Sequence, residues 1–275
     1  MMQTILVING EMWWQDHFPD HRVERKRIQE TIFVLREGTL LAVDANGICE
    51  PSAILWRVGA IKPDPAHRAA LDLIRLSGIP CVNDAKLLSQ GYDRLAMLAT
   101  LQDMGMPVLP FRATTHCAHL KNIGMAYPFV VKAGNFHGGY GKVLVEDDRK
   151  WQEVQDLIFM NEGYATVEPY VPYQLDIRYL VIGDKVWSMA RRGKHWKANV
   201  QTTDYMLREA EPEWIEKSQM LRQHLGADIL ALDVLKTDTG ENWVLEYNDI
   251  PGLSGFPEEV KTHLANCVLA KMAMG

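Results

Sequence analysis

Residues 231–253, ALDVLKTDTGENWVLEYNDIPGL, place Asp233, Glu246 and Asn248 on what reads as a pair of adjacent strands. Alternate residues of a strand face the same side, so Glu246 and Asn248 share a face, with Val244, Leu245 and Tyr247 as the apolar context. The segment 236–242, rich in Asp, Thr and Gly, reads as the turn that brings Asp233 opposite that pair. Two carboxylates and an amide carbonyl suit magnesium, which keeps several waters and completes its shell with phosphate oxygens. The competing reading is two acidic residues on a solvated strand face.

Working outward, the 275 residues suffice for one large lobed domain or two to three small ones. A hydrophobic fraction of 47% and a charged fraction of 23%, without low-complexity tracts or repeats, argue against disorder. A net charge of -6 argues against a general nucleic-acid binder, which needs a basic surface to displace counterions. Cys49, Cys81, Cys117 and Cys267 lie far apart with no C-x-x-C spacing, which suggests neither a zinc site nor a disulfide framework and fits a reducing cytoplasm. The opening MMQTILVINGEMWW reads as a strand rather than a signal peptide, and no apolar run approaches a bilayer span.

Along the chain, TILVING (4–10) reads as a buried strand, HRVERKRIQETIFVLREG (21–38) as a charged amphipathic helix, SAILWRVG (52–59) as a strand, HRAALDLIRLSG (67–78) as a helix and IPCVND (79–84) as a strand. That alternation indicates a small α/β lobe with a partly parallel sheet. RLAMLATLQDMG (94–105) reads as a helix, VLPF (108–111) as a short strand, residues 128–147 as strand, glycine loop and strand, and WQEVQDLIFMNEG (151–163) as a helix. A hairpin turning at Gly183-Asp184 spans 174–193, a polar stretch without clear period runs from Lys197 to Glu213, and a helix at 214–226 precedes the two acidic strands and a last helix. Boundaries fall near residues 85 and 165, dividing the chain into 1–85, 86–165 and 166–275.

In VVKAGNFHGGYGKVLVE (130–146), Lys132 ends one strand and Lys142 opens the next, with Gly134, Gly138, Gly139 and Gly141 between them. Such glycines let backbone N–H groups approach a polyphosphate. Neither a Walker A loop nor a dinucleotide fingerprint fits, because this loop runs into a strand instead of a helix. A plain mobile turn competes with the phosphate reading, while Lys132 offers a point charge. In the hairpin, Asp176, Arg178 and Leu180 share a face and Arg191 lies on the returning strand. Those arginines suit a phosphate clamp, or else a cross-strand ion pair with Asp176. VEPYV (167–171) fits a linker or an adenine edge near Tyr170 and Val171, and Lys197 and Asn199 are active-site groups or merely exposed.

Taken in order, Arg94, Lys132 with the glycine loop, VEPYV, DIR (176–178), RRG (191–193), WKAN (196–199), Asp233 and EYN (246–248) resemble the ATP-grasp superfamily, especially RimK-like glutamate ligases and synapsin, over residues 54 to 271 or so. The resemblance implies an ATP-grasp fold: two α+β lobes clasping the nucleotide, preceded by a small α/β domain. By the same resemblance, Arg94, Lys132, Gly138, Gly139, Gly141 and Lys142 serve the phosphates, Glu168, Tyr170 and Val171 the adenine, and Asp176 the ribose. Asp233, Glu246 and Asn248 match ligands of Mg2+ or Mn2+. Arg178, Arg191 and Asn199 match groups on the transferring phosphoryl, and Arg57 faces the substrate.

The implied activity is ATP-dependent joining of a small-molecule or peptide carboxylate to an amine by a cytoplasmic homo-oligomer, without nucleic acid or membrane partners. A nucleotide-binding scaffold and a small-molecule kinase are the alternatives. Two departures stand out: Asp93-Arg94 replaces an Asp-Lys pair, and Gln201-Thr202-Thr203-Asp204 replaces the His-Arg-Gly-Gly run of the glutamate ligases, so glutamate is not carried over as substrate.

Overall fold

The computed structural model describes residues 2–59, 64–90, 93–161, 164–193, 196–197 and 202–274. The N-terminal part contains β1 (Thr4–Ile8), β2 (Arg22–Lys26), β3 (Ile32–Arg36), β4 (Thr39–Asp44), β5 (Gly47–Cys49), β6 (Ala53–Trp56), α1 (Pro65–Ser77) and β7 (Cys81–Val82). Its main sheet has the order β2-β1-β6-β7, parallel throughout, and β3-β4-β5 form a separate antiparallel sheet. A continuous apolar run such as Ile5–Ile8 belongs in a strand flanked on both sides, and all four residues are fully buried. Helix α1 starts where the Asp64 side chain accepts from the Ala66 amide at 2.8 Å and stops at Gly78 in the left-handed region.

The helix expected over 21–38 is absent: that segment forms β2 and β3 with a short 3-10 turn between them. Tertiary pairing overrides the helical period here. β1 would otherwise present an unpaired edge, and β2 runs parallel to it from Arg22 to Lys26. Lys26, 4% exposed, ends that strand by donating to Asp44 at 2.6 Å and to the Gly47 carbonyl at 3.1 Å, which ties the two sheets together.

Next come α2 (Ala85–Gln90), whose Ala85 and Leu88 join the N-terminal core, and α3 (Arg94–Asp103), which packs on the last sheet; a middle lobe of β8 (Arg112–Thr114), β9 (Phe129–Ala133), β10 (Lys142–Val145), α4 (Asp148–Asn161) and β11 (Ala165–Pro169) follows. Its sheet order is β10-β9-β11-β8. The strand expected at 108–111 reduces to one bridge between Val108 and Val244, and the strand itself starts at Arg112. Phe129, Val131 and Val167 pack against Trp151, Val154 and Ile158 of α4.

The last part comprises β12 (Leu175–Ile182), β13 (Lys185–Gly193), β14 (Thr202–Arg208), α5 (Pro212–Leu225), β15 (Ile229–Lys236), β16 (Asn242–Asn248) and α6 (Glu259–Met274). They give an antiparallel sheet of order β14-β13-β12-β15-β16. β14 lies inside the stretch that carried no periodic signal. One face of this sheet, through Ile177, Tyr179, Leu232 and Val234, packs on Trp214 and Leu221 of α5 and on Met97 and Leu101 of α3. The lower half of the other face, Leu180, Ile182 and Ala231, shares a core with Ile5, Val7 and Leu55 of the N-terminal sheet and Val260 and Leu264 of α6. Its upper half carries the charged residues and faces the middle lobe. Among the described residues no helix is long and apolar enough to cross a membrane.

Candidate active site

Strand register assembles the site. Across the large sheet, Asp176 lies opposite Arg191, Arg178 opposite Asp233, and Asp233 opposite Glu246. Opposed residues on one face have Cβ atoms only about 4.5–5.5 Å apart, so opposite charges there form pairs. Arg178 donates to Asp233 through Nε at 2.8 Å and through a terminal nitrogen at 2.7 Å. Arg191 donates to Asp176 through Nε at 2.9 Å and reaches Asp233 at 3.2 Å. The cross-strand ion pair and the clustered arginines are therefore one arrangement. Asp233, 1% exposed, stays below its ordinary pKa: burial works upward, and Arg178 and Arg191 outweigh it. Burial pushes Asp176 upward in spite of Arg191.

The β15–β16 pairing carries a bulge. Asp233 faces Glu246 and the next residue, Val234, faces Val244, which leaves Leu245 unopposed. Leu245 and Glu246 consequently both line the cleft. Simple alternation placed Leu245 only in the apolar context, and no local residue signals the extra one. Asn248 lies opposite Ala231, and its Nδ2 is buried without a hydrogen-bond partner among the described residues.

The middle lobe supplies the roof. Lys132 of β9 and Lys142 of β10 are opposed where the hairpin ends in the glycine loop. Lys132, 4% exposed, contacts Glu168 at 2.5 Å, and burial lowers its pKa to about 8 against the pull of Glu168. Lys142 donates to Glu246 at 3.2 Å. Arg94, just after the Asp93 cap of α3, donates to the Phe136 carbonyl at 2.9 Å and to Glu246 at 3.4 Å. An arginine at this position thus joins α3, the glycine loop and β16. Burial raises the Glu246 pKa, but Lys142 and Arg94 hold it well below the carboxylate range. Gly138, Gly139 and Gly141 all have positive φ. At Gly141 a Cβ would meet the Phe136 ring at 2.8 Å and the Ala133 carbonyl at 2.9 Å, so only glycine closes this loop. Lys197 donates to the carbonyls of Gly139 at 3.1 Å and Lys142 at 2.5 Å.

Between roof and floor lies a cleft of about 590 Å³, open to solvent, and Lys132, Lys142, Glu168, Tyr170, Val171, Asp176, Asp233 and Glu246 all line it. Leu109, Tyr173 and Leu235 line it as well, with no sequence signal to mark them. Trp196, quoted only within WKAN, stands edge-on to Tyr170 with centroids 6.4 Å apart and accepts from the Tyr173 hydroxyl at 2.9 Å through its carbonyl. Arg94, Arg178, Arg191, Asn248 and the loop glycines Gly138, Gly139 and Gly141 are not among the lining residues, and neither is Arg57. It donates to the Pro251 carbonyl at 2.8 Å, on the loop leaving β16. Asn199 lies outside the described residues.

A family model described as "Synapsin, ATP binding domain" matches residues 92–274. Synapsin of Drosophila melanogaster is 22% identical over 88% of this chain and 25% of its own length. D-alanine–D-alanine ligase of Citrifermentans bemidjiense is 24% identical over 66% of this chain and 64% of its own, and glutamate–LysW ligase ArgX of Sulfolobus acidocaldarius is 24% identical over 73% and 76%. The chain thus spans a quarter of the fly protein and under two thirds of the D-alanine ligase. Among solved structures, D-alanyl-alanine synthetase A from Vibrio cholerae superposes with a TM-score of 0.76 at 15% identity over 99% of both chains. The RimK domain ATP-grasp protein from Sphaerobacter thermophilus gives 0.74 at 20% over 97% of this chain and 99% of its own. The fold is therefore ATP-grasp, and this chain belongs to the synapsin ATP-binding-domain family.

Proposed function

We propose that the chain binds ATP in the cleft and joins a carboxylate to an amine through an acyl-phosphate, in the cytoplasm. The observation that carries this reading is the charged face of the large sheet, with Arg178, Asp233 and Glu246 in one row and Asp176 and Arg191 in the next, whose Asp176, Asp233 and Glu246 line the same cleft as Lys132 and Lys142. Glu168, Tyr170 and Val171 take the adenine, Asp176 the ribose, and Lys132, Lys142 and Arg94 the phosphates under the glycine loop. Phosphoryl transfer depends mainly on positioning and charge neutralisation, which suits a site rich in cations whose described lining holds no serine, threonine or cysteine. A substrate carboxylate oxygen attacks the γ-phosphorus and ADP leaves. The amine then attacks the acyl carbon, loses a proton and expels phosphate. Arg178 and Arg191 neutralise the transferring group, with Asn199 assigned to the same task by its place in WKAN, and Arg57 serves the acceptor side.

The donor set fits Mg2+ or Mn2+. Asp233 and Glu246 are opposed and held ionised by the cations beside them, and the Asn248 amide has an uncommitted buried nitrogen. Among the described residues no group of three His, Cys, Asp or Glu side chains is placed for a metal, so Asp233 and Glu246 would be the carboxylate ligands, with the Asn248 amide oxygen, waters and phosphate oxygens completing the shell. Such an ion would neutralise phosphate oxygens. Given ATP, magnesium, candidate acids and hydroxylamine, the protein is expected to form ADP and a hydroxamate. A stable phosphoester would indicate a kinase. Nucleotide binding without either product would indicate a scaffold, the alternative that the synapsin likeness permits.

Lys132 adds a pH signature. Its amine loses the proton near pH 8 in the free protein, and bound phosphate favours the charged form. ATP affinity should therefore be flat below about pH 8 and fall by up to roughly tenfold per pH unit above it, with proton uptake on binding. Calorimetry at pH 8.5–9 in buffers of different ionisation enthalpy measures that uptake, and Lys132→Arg should abolish it. A pH-independent affinity in the unmodified protein would remove Lys132 from the phosphate site.

A further inference from the structure

β14, the strand concealed in the polar stretch, is the outer strand of the large sheet and extends the charged floor outward. Tyr205 lies opposite Arg191, and Leu207 lies opposite Met189, which in turn opposes Arg178. The floor thus has two rows, Asp176–Arg191–Tyr205 and Asp233–Arg178–Met189–Leu207, each running from charged to apolar. Tyr205 is 47% and Leu207 52% exposed, on the same side as the arginines. Large apolar side chains on an outer strand are an association liability unless something uses them.

A second, independent feature fixes the ring. Gly255, with φ +85°, brings the loop after β16 so close that a Cβ there would fall 2.7 Å from Tyr205 ring atoms and 2.7 Å from the Met189 sulfur. The loop backbone therefore backs one side of the Tyr205 ring and covers Met189, which is 1% exposed. The same loop carries the Pro251 carbonyl bound by Arg57. Tyr205 is thus a seated aromatic wall beside the arginine row, on the loop side to which Arg57 also belongs.

We infer that the acid used here is amphiphilic: its carboxylate lies on Arg191 and Arg178, and an apolar or aromatic body lies on Tyr205 and Leu207. This rests on the ligase reading of the same site and specifies its substrate class. A dicarboxylic acid such as glutamate is expected to gain less than an apolar one. Beyond the arginines, the described side chains Met189, Tyr205 and Leu207 of this face toward β14 carry no cation, so a second carboxylate lying on them gains no ion pair there. The body instead covers apolar surface, and the preference arises from desolvation as well as contact.

The test uses the full chain with Mg-ATP and hydroxylamine, and free and N-acetylated phenylalanine, leucine and glutamate as acids. Hydroxamate should form from the phenylalanine and leucine acids in preference to the glutamate ones. Tyr205→Ala should raise KM for the phenylalanine acid roughly tenfold with kcat nearly unchanged, while Tyr205→Phe restores the original KM. Leu207→Ser, at an exposed position, gives a milder second probe should Tyr205→Ala fold poorly. Preference for glutamate, or a KM indifferent to Tyr205 and Leu207, overturns the inference while leaving the ligase reading intact. Should no acid in the panel react, thermal stabilisation of the Mg-ATP-loaded protein decides. Stabilisation by N-acetyl-phenylalanine that Tyr205→Ala abolishes supports the subsite, and none overturns it. Failure to take up Mg-ATP at all overturns both readings.

Discussion

Arg191→Ala is expected to lower turnover roughly 100- to 1000-fold while ATP affinity changes little, because a preorganised cation acts on charge that develops during transfer. Its position explains the size of the effect. Arg191 is 6% exposed and touches both Asp176 and Asp233, so its guanidinium is held in place by two carboxylates before transfer begins. Removing it also leaves the buried Asp176 without its partner, and breaking such a pair costs about 3–5 kcal/mol of stability. Asp176 can soften that loss by taking a proton, since burial already raises its pKa. Arg191→Lys separates the two consequences: it keeps the charge and most of the stability but lacks the two-pronged contact. Steady-state ADP release, nucleotide calorimetry and a denaturant midpoint are measured on both variants. If Arg191→Ala binds ATP weakly yet turns over normally, or Arg191→Lys matches the original rate, the assignment to the transferring group fails.

Asn83→Ala is expected to cost about 3–5 kcal/mol of folding stability, among the largest losses for a residue outside the cleft. Asn83, 1% exposed, follows β7 of the N-terminal sheet. Its side-chain oxygen accepts from the Asp228 and Ile229 amides at 2.7 and 2.9 Å, and its nitrogen donates to the Ile229 and Asp249 carbonyls at 2.7 and 2.6 Å. One side chain thus fastens the N-terminal sheet both to the start of β15 and to the residue after Asn248. Alanine leaves buried backbone groups unpaired and releases the bases of both acidic strands. Metal-dependent nucleotide affinity should therefore weaken alongside the denaturant midpoint, although Asn83 touches no cleft residue. Asn83→Asp keeps the acceptor but sets a buried oxygen against the Ile229 and Asp249 carbonyls, and is expected to cost at least as much as alanine at neutral pH. An unchanged midpoint for Asn83→Ala would show that these four bonds do not hold the N-terminal sheet to the rest of the chain.

Much of the site was legible because its signals are local. Alternation put Glu246 and Asn248 on one face, a polar turn set Asp233 against them, and the Gly183-Asp184 turn fixed the hairpin that aligns Asp176 with Arg191. The glycine spacing likewise marked the loop that Gly141 closes. Pairings between distant segments were not legible. Arg178 and Asp233 are 55 residues apart, and nothing near either names the other until β12 and β15 are in register.

By itself, the amino-acid sequence determined the strand pair, the hairpin, the glycine loop and the chemistry of the residues they carry, since strand alternation and turn geometry depend on neighbours a few positions apart. Tertiary structure alone decided that 21–38 forms strands, that 202–208 supplies the outer strand with Tyr205, and that a bulge turns Leu245 into the cleft. In each case a strand from elsewhere in the chain offers backbone hydrogen bonds, and that gain exceeds the modest helical or irregular preference of the segment itself.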